Sequence, residues 1–393
     1  MANNRVIAAA IIVILAIVAV AYWYTSAPPE QPAFNVLVAY DVNSRGDKSF
    51  NDMAYFGAAQ AQVEWGVNVA EITPLSLAEM EDVLRTVTQS EEYDIILCIG
   101  YLWWDALNTV AQEFPDQKFG AIDIQLPERD NVLSVSFYEE EGCVLAGALA
   151  ALVTNSTTVG NVLGMEIPLL WKFEIGYKFG VQYIENMTGR EIEVLWDYTG
   201  EFGRPDLGRE STITMLDAGA DVIFQAAGET GLGVIDAVAE RGSASELPFA
   251  IGVDANQDWV QPGRVIASMR KLVNVGTYTA IKQAYEDNFQ GGTVIYLGMA
   301  DGGIGISDLT DLDVWLNDPI LKLIIEEDTG MTTEEVRTLV ADMRDDWANV
   351  TIDGTDYAVW DIIADIQQDI IDGDLIVPVA TADNIAELRT RYD

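Results

Sequence analysis

The stretch 36–51, VLVAYDVNSRGDKSFN, combines acidic, amide and aromatic side chains at a spacing suited to holding a small ligand. An apolar run typical of a β-strand, Asn35–Tyr40, leads through a polar turn into a helix that we predict to be capped by Ser49. In open α/β sheets, ligands collect at the carboxyl ends of strands, where helix N-termini offer free N–H groups. A solvated acidic turn before an amphipathic helix is the alternative interpretation. The candidate ligand-binding residues of this unit are Asp41, Asp47, Phe50 and Asn51.

The composition excludes several function classes. The 393 residues are 50% hydrophobic, which is enough to bury a large core and predicts two lobes. With 63 Asp and Glu against 21 Lys and Arg, the net charge of −42 opposes binding to nucleic acid or anionic lipid. It indicates a halophilic, archaeal-type protein, although an acidic cell-surface niche would give the same composition. Because histidine is absent, a Ser-His-Asp triad, a His-ligated zinc and a histidine general base are all excluded.

The N-terminal stretch Val6–Tyr24 has nineteen residues without a charge and follows Arg5. This length just spans a bilayer, and the flanking charge favours an N-terminus inside and a body outside the cell. We therefore predict a single-pass membrane anchor over 1–25 and a stiff linker over 26–33, with a cleaved signal peptide as the alternative. Three N-x-Ser/Thr sequons fit an exported glycoprotein, at Asn155, Asn186 and Asn349.

Beyond the linker, strand and helix patterns alternate, which predicts an α/β fold with parallel sheets and helices on both faces. A second series begins near Phe137, so we expect two lobes facing each other across a cleft that holds the ligand. The expected lobe 1 comprises 34–136 and 272–290, and the expected lobe 2 comprises 137–271 and 291–393.

Two features remain outside this alternation. The acidic, partly helical segment 307–357 is an insertion, for which a docking or self-association surface and a solvated decoration are both open. Cys98 and Cys143 lie in apolar segments and are predicted to be buried thiols.

Several motifs follow one another in a recognisable order. They include Asp47-Lys48-Ser49-Phe50-Asn51, Ile122-Asp123, Phe137-x-Glu139-Glu140-Glu141-Gly142, Gln225-Ala226-Ala227-Gly228, Gly252-Val253-Asp254 and Ser268-Met269-x-Lys271. This series resembles the basic membrane protein family, the nucleoside-binding substrate-binding proteins of ABC importers. The resemblance covers about 35–300 and returns at 362–378, which is similar to the family's last helix and strand.

The resemblance implies a two-lobed type I periplasmic-binding-protein fold that closes on a purine nucleoside. Carried over by motif, Asp41 and Asn51 would hydrogen-bond the base, while Phe50 and Phe202 would stack on it from opposite lobes. Two aromatic faces suit a flat heteroaromatic ring. Taken alone, however, both phenylalanines are more often core residues.

The same carry-over assigns the ribose hydroxyls to Asp123, Asp254 and Lys271, and it adds Gly228 to the site. Vicinal hydroxyls suit carboxylate acceptors. The chain departs from the family at Asn43 and Ser44, where two glycines are usual, so the turn is expected to differ there.

A second departure is Glu229, which puts a carboxylate beside the cleft and disfavours phosphorylated ligands. Trp103 and Trp104 are candidates for the cleft wall, but aromatics at a helix start most often pack on neighbouring strands.

Three function classes follow. The first is a membrane-anchored receptor that passes a purine nucleoside to ABC permease and ATPase subunits, with no cofactor, no metal and no nucleic-acid partner. The second is a sensory or structural surface protein that reuses the fold with a different ligand or none. The third is an enzyme such as a nucleoside hydrolase, but its carboxylates would be scattered over both lobes.

Overall fold

The computed structural model describes residues 33–392, and most of its strands form two six-stranded sheets. The strands of the first sheet are β1 (Asn35–Ala39), β2 (Asn68–Ile72), β3 (Ile95–Ile99), β4 (Lys118–Ile122), β5 (Val132–Phe137) and β11 (Thr293–Leu297). They are all parallel, in the order β11-β5-β4-β3-β1-β2. Every residue of β3 is buried, because helices cover both faces of the sheet. The predicted parallel α/β arrangement is confirmed.

Helices cover this first sheet in two pairs. They are α1 (Phe50–Trp65), α2 (Met80–Gln89), α3 (Trp104–Glu113) and α8 (Val273–Tyr285), with short 3-10 turns at Leu77–Glu79 and Tyr101–Trp103. Helix α1 packs on α8, and α2 packs on α3. The core under α2 and α3 includes Trp103, Leu107 and Phe119, all fully buried. The first sheet with these helices is called lobe 1 below.

The second sheet repeats the pattern with one reversed strand. Its strands are β6 (Thr158–Leu163), β7 (Glu193–Tyr198), β8 (Val222–Ala226), β9 (Phe249–Asp254), β10 (Val265–Lys271) and β12 (Ile304–Ile306), in the order β12-β10-β9-β8-β6-β7. Only β12 pairs antiparallel within this sheet. The flanking helices are α4 (Glu139–Val153), α5 (Pro168–Thr188), α6 (Pro205–Asp217) and α7 (Thr230–Ala239). The second sheet with these helices is called lobe 2.

Three crossings connect the lobes in the described part of the chain. They lie between β5 and α4, between β10 and α8, and between β11 and β12. The sequence assigned 291–393 to lobe 2, but β11 pairs in parallel with β5 in lobe 1. The physical reason is that β11 follows α8 after a short loop, and a short connection returns the chain to the sheet that its helix covers.

The segment 307–357, which the sequence analysis named an insertion and which keeps that name below, is a folded part of lobe 2. It contains α9 (Leu309–Asn317), α10 (Pro319–Thr329), α11 (Thr333–Asp346) and the hairpin strands β13 (Asn349–Ile352) and β14 (Thr355–Ala358). Thr332 caps α11 by accepting a hydrogen bond from the backbone N–H of Glu335. An apolar cluster joins these helices to Trp259, which follows β9.

The chain continues into α12 (Val359–Asp372) and α13 (Ile385–Tyr392). The resemblance implied a strand at the end of 362–378, but residues 375–378 have no strand pairing here. Within residues 33–392, no helix is both long and apolar enough to cross a membrane. The predicted anchor over Val6–Tyr24 lies outside the described residues.

The cysteines and sequons occupy opposite environments. Cys98 and Cys143 are free thiols in the buried core, so the prediction of buried thiols is confirmed. Asn155, Asn186 and Asn349 are exposed, and their glycosylation stays a prediction.

We expect Phe119→Ala to lower the free energy of unfolding by about 3–5 kcal/mol, because a fully buried ring in β4 leaves a cavity. Denaturant unfolding without ligand measures the loss. The control is Val63→Ala on α1, where the side chain is 89% exposed, and we expect a change within about 0.5 kcal/mol. Equal losses at the two positions would contradict the packing described here.

Candidate functional site

The carboxyl ends of both sheets border one cavity of about 610 Å³. All nine ligand-site residues predicted from the sequence line it: Asp41, Asp47, Phe50, Asn51, Asp123, Phe202, Gly228, Asp254 and Lys271. The fold thus brings together residues from both lobes, and their contact with a ligand stays a prediction.

The start of α1 is held by Asp47. Its carboxylate accepts hydrogen bonds from the backbone N–H groups of Ser49 (3.0 Å), Asn51 (2.8 Å) and Asp52 (3.1 Å). The predicted Ser49 cap is wrong, since the Ser49 side chain makes no capping bond and Asp47 already occupies these donors. Burial raises the pKa of Asp47 to about 8, helped by the nearby Asp52 carboxylate and opposed by the three N–H donors. Asp47 therefore positions the helix start from which Phe50 and Asn51 enter the cavity.

Asn51 and Asp41 stabilise the turn that replaces the family's glycines. The Asn51 amide donates to the carbonyls of Asn43 (2.9 Å) and Ser44 (3.4 Å), and Asp41 accepts from the Asn43 N–H at 2.9 Å. Neither Asn43 nor Ser44 adopts a positive φ; Gly46 does. Asn51 Oδ1 is buried without a hydrogen-bond partner among the described residues, which leaves an acceptor for a ligand. Burial raises the pKa of Asp41 to about 6.

Lys271 lies at the centre of a buried charge cluster. Its Nζ is 2.5 Å from Asp123 Oδ2 and 3.2 Å from Glu139 Oε1, and all three side chains are at most 2% exposed. Glu139 also accepts a hydrogen bond from Lys172 at 2.9 Å. The Lys271 Nζ lies 5.1 Å from the centre of the Phe50 ring, within the range of a cation–π contact. The cluster therefore brings Asp123 and Lys271, which the resemblance assigned to the ribose, close to Phe50, which it assigned to the base.

Burial and charge act in opposite directions in this cluster. Burial raises the pKa of Asp123 to about 7, although the ammonium of Lys271 opposes the rise. Burial also raises the pKa of Asp254. For Lys271, burial lowers the pKa but the carboxylates of Asp123, Glu139 and Asp254 outweigh it, so the pKa is raised. For Glu139, burial raises the pKa, but Lys271 and Lys172 outweigh it and the pKa is lowered. Lys271 and Glu139 therefore stay charged near neutral pH.

Asp123 and Asp254 occupy matching positions in the two lobes. Asp123 directly follows β4 and Asp254 ends β9, with left-handed φ values of 64° and 61°. Such a backbone is strained for a non-glycine residue and is common at ligand sites. Asp254 accepts a 2.8 Å hydrogen bond from the Ser49 hydroxyl of lobe 1, while Asp123 Oδ1 is buried without a partner among the described residues. Asp123, a cavity residue of lobe 1, can therefore accept a hydrogen bond from a ligand through Oδ1.

Phe202 enters the cavity from a loop that Thr230 fixes. Thr230 donates its backbone N–H to the Phe202 carbonyl at 2.8 Å and its hydroxyl to the Glu201 carbonyl at 3.0 Å. The ring lies so close to Gly164 that any side chain there would overlap it. Phe202 is half-buried, like Phe50, and both residues line the cavity.

Sequence reasoning missed some of the cavity wall. Tyr101, Leu102 and Phe173 line the cavity. Behind the wall, Glu139 pairs with the cavity residue Lys271 and was recognised only within a motif, although an acidic triplet opening an apolar helix was a signal that it is held by cations. Trp103, by contrast, is fully buried in the lobe 1 core. The remaining wall residues that were not predicted are Asn43, Gly100, Ile167, Leu169, Leu170, Ala226 and Val253, whereas Glu229 was expected beside the cleft and does line it.

Comparison with known proteins finds relatives that cover most of this chain. Residues 34–335 match the family model described as ABC transporter substrate-binding protein PnrA-like. An uncharacterised lipoprotein of Pyrococcus abyssi is 37% identical over 90% of this chain and 86% of that protein. Basic membrane protein B of Borreliella burgdorferi is 29% identical over 68% of this chain and 79% of that protein.

A solved structure supports the fold as well as the family. The crystal structure of an ABC transporter system solute-binding protein from Aeropyrum pernix superimposes with a TM-score of 0.82 at 38% identity. The match covers 91% of this chain and 97% of that protein. The chain belongs to the PnrA-like family of ABC transporter substrate-binding proteins, as its motifs and its two parallel sheets indicated.

Proposed function

We propose that this protein captures a purine nucleoside between its lobes and delivers it to an ABC importer without chemical turnover. The observation that carries the proposal is the convergence on one cavity of two aromatic rings, a buried ammonium and two oxygen acceptors that have no partner within residues 33–392. Family membership supports the transport role, with a permease and an ATPase as partners.

The base is proposed to lie between Phe50 and Phe202. The rings come from opposite lobes, so a flat ligand gains both contacts only when the lobes are together. Asp41 and Asn51 Oδ1 are acceptors beside Phe50, and they suit the N–H groups on a purine edge.

The ribose is proposed to lie against Asp123, Asp254 and Lys271. Asp123 Oδ1 has no partner among the described residues, and hydroxyl groups can donate to it. The ammonium of Lys271 is already close to Asp123 and Glu139, so little positive charge remains for a phosphate. Glu229 adds a further carboxylate to the wall. An unphosphorylated nucleoside therefore fits better than a nucleotide.

Anchoring is proposed to occur through Val6–Tyr24, with the body on the outer side of the membrane. Relatives from three Pyrococcus species are named lipoproteins. The first 32 residues of this chain contain no cysteine that could carry a lipid. An apolar segment would fill the same role of keeping the binding protein near its permease.

We expect the body of the protein, residues 32–393, to bind guanosine, adenosine or inosine with a dissociation constant of about 1 μM or lower, a free energy near −8 kcal/mol. Isothermal calorimetry against a nucleoside panel, in buffers of low and high salt, measures it. Chromatography of the same samples should show no free nucleobase. A folded protein that gives no heat would favour a sensory or structural surface role, and released nucleobase would favour an enzyme.

We expect Phe50→Ala and Phe202→Ala each to weaken nucleoside binding by roughly ten- to a hundredfold, since a base–aromatic contact contributes about 1–3 kcal/mol. Their ligand-free melting temperatures should stay near that of the parent. Phe119→Ala is the core control, and it should show the reverse. Parent-like affinity at both positions, or a melting loss equal to that of Phe119→Ala, would exclude stacking.

We expect affinity to fall on acidification because the pKa of Asp41 in the free protein is raised to about 6. Ligand donors favour the carboxylate, so the pKa is lower in the complex and binding releases a proton below pH 6. The contribution of Asp41 should be level above that pH and should lower the affinity by up to about tenfold per unit below it. Calorimetry from about pH 5 to pH 8 measures the profile.

The matched control for this profile is Asp41→Asn, which keeps the side-chain shape and cannot ionise. It should bind more weakly at neutral pH and lack the added loss on acidification. The difference between the two profiles isolates Asp41 from Asp47 and Asp123, whose pKa values burial also raises. Identical slopes in the two proteins would remove Asp41 from the base site.

A further inference from the structure

The insertion is anchored at the edge of the ligand cavity. Asp258, fully buried, accepts hydrogen bonds from Ser268 (2.7 Å) and Ser307 (2.9 Å), and it lies 3.2 Å from the guanidinium of Arg344 on α11. Asp258 follows the cavity residue Asp254 by four positions. The insertion is therefore fixed to the loop that carries one wall of the site, as part of lobe 2.

From this anchor, the insertion reaches across to lobe 1 at two points. Lys48 Nζ lies 2.7 Å from Asp328 Oδ2 at the end of α10. Phe56 of α1 meets Trp315 of α9 edge to face, with ring centroids 5.6 Å apart. The Lys48 ammonium also lies 5.1 Å from the centre of the Trp259 ring. These contacts join the two lobes outside the cavity wall, since none of these residues lines the cavity.

Lys48 is located where such a contact influences the site. It stands between Asp47, which caps α1, and Ser49, which donates to Asp254. Its carbonyl accepts a hydrogen bond from Gln257 of lobe 2 at 3.1 Å, and its φ of 52° is unusual for lysine. Lobe 2 and the insertion thus hold both the main chain and the side chain of this residue.

We propose that the insertion is a clasp that sets ligand affinity from outside the cavity, with Lys48–Asp328 and Phe56–Trp315 as its two contacts. The contacts form only when the lobes meet, so they stabilise the closed form relative to the open form. Ligand binding between the lobes requires the same closure, and its observed affinity includes the free energy of closing. Lys48 is therefore a positioning residue and makes no ligand contact of its own.

The test rests on the proposed nucleoside binding. It compares variants with the parent protein, each as the body of residues 32–393. Lys48→Met and Asp328→Asn should each raise the guanosine dissociation constant about two- to fivefold, and the double variant no more than the larger single effect. Trp315→Ala should raise it about two- to tenfold. The effect of the charge variants should shrink at high salt, because the pair is partly exposed.

Lys322→Met is the matched control. Lys322 lies on α10, the helix that carries Asp328, but its ion pair is with Glu326 of the same helix. It should leave the dissociation constant unchanged. Ligand-free melting of Lys48→Met and Asp328→Asn should stay near the parent, which separates a clasp from a folding defect. Parent-like affinity in the charge variants and in Trp315→Ala, or an equal loss in Lys322→Met, would overturn the clasp.

A different outcome would mark failure of the proposed function. If the parent binds no nucleoside, that function is excluded, and small-angle X-ray scattering of the ligand-free proteins decides the clasp. A larger radius of gyration for Lys48→Met and Trp315→Ala than for the parent and Lys322→Met supports it. Equal radii in all four proteins contradict it.

Discussion

The ammonium of Lys271 joins residues of both lobes in one buried charge cluster. It lies 2.5 Å from Asp123 of lobe 1 and 3.2 Å from Glu139 of lobe 2. Asp123 ends a strand of lobe 1, Glu139 begins the helix after one crossing, and Lys271 ends the strand before another. A buried charge is tolerated only with close partners, and removing one partner typically costs about 3–5 kcal/mol. These ion pairs therefore hold two of the crossings between the lobes next to the cavity. Replacing Lys271, Asp123 or Glu139 would disturb both the crossings and the cavity.

The charge balance around this ammonium also restricts the ligand class. Lys172 shares Glu139 from the other side and lies 3.7 Å from Glu140, whose pKa burial raises to about 7. The two cations are thus surrounded by carboxylates from both lobes. A ligand that donates hydrogen bonds relieves this excess of acceptors, whereas an anion would increase it. The same reasoning supports the proposal of a polar, uncharged solute.

The sequence predicted the strands from local pattern, whereas it assigned five of the cavity residues only through the resemblance to the family: Asp123, Phe202, Gly228, Asp254 and Lys271. An apolar run that ends in an aspartate identifies a strand end, as at Asp41, Asp123 and Asp254, and parallel strands carry their ends to one edge. Three features could not be read in this way, because one depended on which of two neighbouring side chains caps the helix and the other two on contacts distant in sequence. Asp47 displaces Ser49 as the cap, β11 joins the sheet of lobe 1, and the insertion is locked to Asp258. Each is decided by which partner lies closest in three dimensions.

The hydrogen bonds of Asp47, Asp41 and the Asn51 amide described above all lie within lobe 1. The turn and the helix start on the lobe 1 side of the cavity are therefore held by hydrogen bonds within lobe 1, whereas Ser49 and Asp123 also bond to lobe 2. We expect a solute to encounter this side first and lobe 2 to follow, so that the observed association rate levels off at high solute concentration. Release would then be governed by how fast the lobes separate, which gives a permease a step that it can accelerate.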